Sequence, residues 1–467
     1  MKERDKQHVK TVLPRIVVKF QDDVKMASPG TNKNVDFSAL KDSVSWKNFF
    51  ALYPQIQAGK LFTSLTSENI TRLVQKARIS DALYQPPNWD NYFVFYCPRE
   101  VYPDDLVNGL QVLEGVELAY LQSGAGGPAK ENAAQEMVSS QGYLNPAPEG
   151  INARYAWRIP GGKGEGDVRF IDIEQGWILN HEAYDVDRFP LTGSNKKEYR
   201  DHGAAVLGVI MMKDYEKNRI GIAPGVKGHV ISLWRPDGSL NDADAILSAV
   251  HYLNFGDIIL MEAQAYHTTS SIKIWPVEIQ EATFQSIRLA TALGITVIEA
   301  AGNGDLFNRM GNDLDQFSLN QKKILDPASP DFKDSGAILV SAASRAVPHR
   351  RIPYSNYGNR INCYAWGAGV DTAGAYPELS GSAVDRYTGN FNGTSSASAI
   401  IAGAVIAVQS ISEAKWNTRL GPKQIRDIAG NAEYGTPSAN GRMIDKIGVM
   451  PDLRKIIRNG LGVRLSK

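Results

Sequence analysis

A chain of 467 residues, 43% hydrophobic and 22% charged, has the make-up of a soluble globular protein and room for one large α/β domain beside a smaller one. With 51 Lys+Arg against 50 Asp+Glu, the net charge of +1 gives nucleic acid or an anionic membrane nothing to hold. Two distant cysteines, Cys97 and Cys363, make no disulfide framework. The opening MKERDKQHVKTVLPR has no apolar stretch of signal-peptide length and no later segment reads as a membrane span, so the expectation is a cytoplasmic protein or one exported without a Sec-type signal.

The first 122 residues read as a small α+β unit. RIVVKF (15–20), YFVFYC (92–97) and VELAYLQ (116–122) have the β-branched and aromatic content of strands, and PDDLVNGLQVLEG (103–115) reads as a helix with an acidic first turn. Residues 123–150 turn to Gly, Ala, Pro and Ser and read as an exposed linker. From 151 to 467 strand and helix patterns alternate. The strands are DVRFIDI (167–173), HVISLW (229–234), DIILMEA (257–263), GITVIEA (294–300) and GAILVSAAS (336–344). Helices fall at 203–212, at 241–253 behind Asn241, within 277–293 and at 395–410. Such alternation predicts an α/β domain with a doubly wound, mostly parallel sheet.

In sheets of this kind functional groups collect at the carboxyl ends of strands. Asp172 lies near one strand end, His202 opens a helix, Asn303 follows another strand, and Ser395 opens the last long helix in NGTSSASAIIAGAV. Each has an ordinary reading: Asp and Asn as turn residues, His as a surface residue, Ser as a helix cap. Together they supply a nucleophile (Ser395), a general base (His202), a carboxylate that orients the base (Asp172), and an oxyanion donor (Asn303, with the Ser395 backbone N–H).

These segments resemble the subtilases, the subtilisin-like serine peptidases. Gly393-Thr394-Ser395-Ser396-Ala397-Ser398 is similar to the family's serine motif, with Ala399 at its proline position. His202-Gly203-Ala204-Ala205-Val206-Leu207-Gly208 is similar to the histidine motif with Ala for Thr, and Ala300-Ala301-Gly302-Asn303 matches the oxyanion motif. The resemblance covers about residues 150 to 450 and implies a serine endopeptidase cutting polypeptides through an acyl-enzyme, with no cofactor in the chemistry, structural calcium as a candidate, and monomer as the family default. It also implies that residues 1–122 are a propeptide-like intramolecular inhibitor and folding aid. A transpeptidase or macrocyclase on the same fold, or a catalytically silent binding protein, are the alternatives.

Three positions depart from the pattern. Glu174 replaces a glycine of the aspartate motif, Glu262 stands in LMEAQ where Ser-Leu-Gly is typical of the wall of the first specificity pocket, and Glu299 replaces an alanine. Glu262 and Glu299 have three readings: selection of a basic substrate residue, a proton shared in a buried pair, or plain hydrogen bonding to backbone. The stretch 304–335 carries several Asp and Asn residues that suit calcium, without an Asp-x-Asp-x-Asp-Gly loop.

Overall fold

The computed structural model describes residues 13–24, 40, 43–122, 141–184, 193–213, 219–268, 272–374 and 384–464. Their contacts separate two units, but not at a single point near 122. Residues 71–85 belong with the larger unit and 237–239 with the smaller, which otherwise holds the chain up to 70 and from 86 to 123. Within the larger unit, Leu73 packs on an apolar cluster, while Arg288 pairs with Asp81 and lies 5.3 Å over the Tyr84 ring.

The smaller unit contains β1 (Arg15–Phe20), α1 (Val44–Leu52), β2 (Gln57–Lys60), the start of α2 (Ser67–Ser80), β3 (Tyr92–Tyr96), α3 (Pro103–Gln111) and β4 (Val116–Leu121). The strands form an antiparallel sheet in the order β2-β3-β1-β4. Alternation in β1 sends Ile16, Val18 and Phe20 into a core with Phe93, Phe95, Leu106 and Leu110. Trp46 sits at its centre, with its ring against Phe20, Phe49 and Phe95 and its indole N–H donating to the Glu114 carbonyl at 2.9 Å. The helix expected over 103–115 ends at Gln111, where Leu113 and Val116 turn into this core.

In the larger unit the chain runs α4 (Ala153–Ala156), β5 (Arg169–Glu174), α5 (Arg200–Met211), β6 (Lys227–Ser232), α6 (Asp242–Val250), β7 (Ile258–Met261) and the hairpin β8 (Ala265–Thr268) and β9 (Ile272–Trp275). It continues through α7 (Glu281–Ala292), β10 (Thr296–Ala300), β11 (Ile338–Ala343), β12 (Cys363–Trp366), the hairpin β13 (Val370–Ala373) and β14 (Tyr387–Phe391), and α8 (Gly393–Trp416). The last elements are α9 (Pro422–Ala429), β15 (Gly435–Pro437), α10 (Gly441–Asp445), β16 (Val449–Pro451) and α11 (Leu453–Lys455). Eight strands make one sheet in the order β15-β16-β12-β11-β10-β7-β5-β6, parallel throughout except for β15 against β16. Helices cover both faces, as the strand–helix alternation predicts.

The pleat decides which side chains meet. On one face Phe170, Ile258, Leu260 and Ile298 pack with Val206, Ile210, Ile400 and Val405 of α5 and α8. On the other, Ile171, Ile173, Ile259, Met261 and Val297 pack with Ile246 and Ala249 of α6 and Ile287 and Ala290 of α7. Asp172 and Glu174 share a parity with Phe170, and Glu262 shares one with Leu260, so all three rise on the α5–α8 face. Glu299 has the parity of Val297 and points the other way.

Two expectations need correction. Residues 141–150 are part of the larger unit's core rather than exposed linker: the Tyr143 hydroxyl donates to the Asp371 carbonyl at 3.0 Å and Trp366 Nε1 to the Glu149 carbonyl at 2.8 Å. Buried Gly142, Tyr143 and Leu144 explain why a Gly/Pro-rich stretch is held so firmly. The remainder of the expected linker, 123–140, lies outside the described residues. Secondly, the 24-residue helix α8 is long and apolar enough to cross a membrane by length and composition, but 94% of its apolar window is buried inside the protein.

Candidate active site

Asp172 and Glu174 stand at the end of β5, Glu262 one residue past β7, Asn303 three residues past β10, and His202 and Ser395 in the first turns of α5 and α8. The parallel sheet therefore delivers all six to one edge. Two glycines permit the approach. Gly203 leaves no room for a side chain, since a Cβ there would lie 2.2 Å from the Gly176 carbonyl. Gly393 starts α8 at φ +94°, a conformation that favours glycine.

His202 is buried, with its ring edge-on to Phe391 at 5.4 Å. Its Nδ1 pairs with Glu174 Oε2, and its Nε2 has no hydrogen-bond partner among the described residues. Burial opposes a charged ring, but the charge and hydrogen bond of Glu174, with Glu262 behind, outweigh it and lift the imidazole above the ordinary histidine value.

Asp172, expected to orient His202, makes no hydrogen bond to it. One of its oxygens accepts from Trp177 Nε1 at 2.7 Å and the other has no hydrogen-bond partner among the described residues. Burial, followed by the negative charges of Glu174 and Glu262, pushes its carboxyl well above the usual carboxylate range, against the Trp177 hydrogen bond. Glu174 reaches the ring instead because it stands one pleat further along the same face of β5. The sequence signal was the glutamate two residues after the aspartate, an i, i+2 pair that shares a sheet face.

Asn303 is fixed on two sides. Its Oδ1 accepts from the Thr394 backbone N–H at 2.9 Å and the Thr394 hydroxyl at 3.1 Å, and its own N–H donates to Gln264 Oε1 at 3.3 Å. With the oxygen engaged, the amide Nδ2 remains as a donor. A small pocket is lined by His202, Glu262, Ala263, Gln264, Ala300, Thr394 and Ser395. Of these, Gln264 and Thr394 carried no sequence signal beyond their neighbours.

Glu262 is buried, and Glu299 is not part of the site. Glu262 Oε1 lies 2.6 Å from Ser398 Oγ. Glu299 lies fully buried on the opposite face, accepting from the Glu278 N–H at 3.1 Å. Burial and the nearby Glu278 push its carboxyl well above the usual range, against that N–H and Arg360. Several acidic residues of 304–335 are occupied within the protein: Asp305 accepts from Phe307 N–H, Asp313 and Asp315 pair with Lys446, and Asp334 takes Arg426. Among the described residues no group of three His, Cys, Asp or Glu side chains is placed to hold a metal ion.

The fold and this edge define a doubly wound α/β protein with a serine at a helix N-terminus, a histidine and a buried acid gathered at one pocket. The chain belongs to the subtilase family, whose model matches residues 174–445, more than half of it. That membership places it among the serine peptidases, and the match begins at Glu174, past Asp172. Among solved structures it resembles fervidolysin from Fervidobacterium pennivorans, a keratinolytic enzyme related to subtilisin, with 14% identity and a TM-score of 0.52 over 100% of this chain and 63% of that one. It is also similar to the prenylagaramide maturation protease PagA, at 17% identity and a TM-score of 0.47 over 66% of this chain and 97% of that one. No curated protein sequence matches the chain.

Proposed function

We propose that this protein is a serine endopeptidase in which Ser395 is the nucleophile, His202 the general base, and Glu174, in place of Asp172, the carboxylate that orients it. The observation that carries this is the Glu174–His202 Nδ1 pair, which leaves Nε2 buried and, among the described residues, unpartnered. A carboxylate on Nδ1 fixes the tautomer whose Nε2 lone pair can take the serine proton, and it stabilises the imidazolium that results.

Ser395 Oγ attacks the scissile carbonyl as His202 Nε2 removes its proton. Negative charge grows on the carbonyl oxygen, where the Asn303 Nδ2 and the Ser395 N–H serve as donors. The first N–H groups of an α-helix have no partner within it, so the start of α8 supplies the second donor. His202 then gives the proton to the leaving amine. Water, deprotonated by the same Nε2, releases the acyl group and restores Ser395. The substrate is a polypeptide, and the chemistry needs no cofactor. The described part of residues 13–122 serves as the intramolecular inhibitor, a role its small antiparallel sheet and separate core suit.

Intact-mass analysis of the full chain and of Ser395→Ala, each with and without a fluorophosphonate, tests this. The wild type is expected to gain one probe and to lose an N-terminal piece cut within 123–140, the variant to do neither. A wild type that takes up no probe overturns the reading, and probe uptake without cleavage overturns the inhibitor assignment alone.

A further inference from the structure

Glu262 has no place in the mechanism above, yet it lies within its machinery. It rises from the end of β7 on the same face as Asp172 and Glu174, is 5% exposed, and donates its backbone N–H to the Ile173 carbonyl at 3.1 Å. Its Oε1 is 2.6 Å from Ser398 Oγ, and Ser398 Oγ is 3.0 Å from the carbonyl oxygen of Ser395. Among the described residues its buried Oε2 has no partner within hydrogen-bond distance, and the Ser395 hydroxyl also acts on the carboxyl as a hydrogen-bond donor.

The Ser398 hydroxyl has one proton and faces two acceptors. If Glu262 is ionised, it competes with the Ser395 carbonyl for that proton. If Glu262 is protonated, it donates to Ser398 Oγ, and Ser398 donates onward to Ser395, so both bonds form at once. We propose that Glu262 is a positioning residue that works in its protonated form, holding Ser398 and through it the backbone of the nucleophile Ser395. The inference rests on Ser395 being the nucleophile.

The groups facing Glu262 are Asp172 and Glu174 from β5, His202 from α5, and the hydroxyls of Ser395 and Ser398 from α8. Burial is the largest influence on its carboxyl. His202 and the two hydroxyls favour the anion and Glu174 opposes it, and the balance pushes the group up to about 8. Below that pH the chain of two hydrogen bonds is intact. Above it Ser398 turns to the carboxylate, the Ser395 carbonyl loses its donor, and a negative charge stands beside the place where an oxyanion must form.

The test is the rate of fluorophosphonate labelling of the full chain from pH 6 to 10. Wild type is expected to fall about tenfold per pH unit above about 8. Glu262→Gln, whose amide still donates to Ser398, is expected to label a few-fold more slowly at pH 7 but to show no alkaline fall. Ser398→Ala, which cuts the link between Glu262 and the Ser395 carbonyl, is expected to label more slowly at pH 7 and to lose most of the alkaline fall. A fall in Glu262→Gln parallel to wild type, or an undiminished fall in Ser398→Ala, overturns the proposal. A wild type that takes up no probe at any pH overturns the nucleophile assignment and the inference with it.

Discussion

Glu174 and His202 are paired through Oε2 and Nδ1, while Asp172, on the same strand and the same face, is bonded to Trp177 instead. Residues two apart on a strand are separated by about 7 Å, so the two acids cannot serve one ring nitrogen from equivalent positions. Glu174→Gln is therefore expected to lower the acylation rate by about 10³ to 10⁴, the order lost when the orienting carboxylate of such a triad becomes an amide. Asp172→Asn should cost less than about tenfold, since it keeps an acceptor for Trp177 and touches no reacting group. The pH profile separates the cases further. Glu174 raises the His202 pKa, and activity needs neutral His202, so Glu174→Gln moves the acid limb to lower pH. Equal losses in the two variants would return Asp172 to the triad.

The Asn303 amide has its oxygen committed to Thr394, which leaves Nδ2 for an oxyanion. Asn303→Ala is expected to reduce kcat by about 10² to 10³ with little change in KM, the cost of one lost oxyanion donor. Thr394→Val removes the 3.1 Å hydroxyl bond but keeps the backbone bond, and should cost a smaller factor. Steady-state kinetics on one peptide substrate decide this: a loss confined to KM in Asn303→Ala would place the amide in ground-state binding.

Much of this site was legible because its parts sit next to conspicuous local patterns. Ser395 opens a long apolar helix, His202 is followed by a glycine and small residues, and Asn303 follows a buried strand. Each pattern reflects a packing need readable from neighbouring residues. Which acid the His202 ring meets was not legible, because Asp172 and Glu174 have the same parity and only the position of α5 relative to β5 decides it. Glu262 and Glu299 looked alike in sequence, both being acids at the ends of apolar strands, but their parities differ and the pleat puts them on opposite faces. The Gly/Pro-rich stretch at 141–150 read as linker because composition cannot show that Trp366 and Asp371, more than two hundred residues away, provide hydrogen-bonding partners.

Trp46 tests the inhibitor reading. It lies fully buried among Phe20, Phe49 and Phe95, so Trp46→Ala is expected to destabilise the smaller unit by about 3–5 kcal/mol. If that unit inhibits, the variant should hydrolyse a short chromogenic peptide faster than intact wild type before any cleavage occurs. Continuous assays with mass analysis at the same time points check it: unchanged activity in an uncleaved variant with an unfolded N-terminal unit would remove the inhibitor role.

Glu299 provides the clearest separation of stability from catalysis. Its carboxyl is buried beside Glu278 and held well above the usual range, so the folded state binds its proton more tightly than the unfolded chain does. The stability this lends is complete below the unfolded carboxyl value of roughly 4.3 and is lost as pH rises towards the folded value, at up to about 1.4 kcal/mol per pH unit. Glu299→Gln removes the titration. Relative to wild type, the variant should gain stability as pH rises above the unfolded carboxyl value towards the folded one, because Asp172 and Glu262 titrate alike in both proteins and cancel in the difference. Urea midpoints at several pH values measure that gain. Because Glu299 faces α6 and α7 and not the pocket, peptide hydrolysis should be unchanged. A large loss of activity without a change in stability would put Glu299 in the site after all.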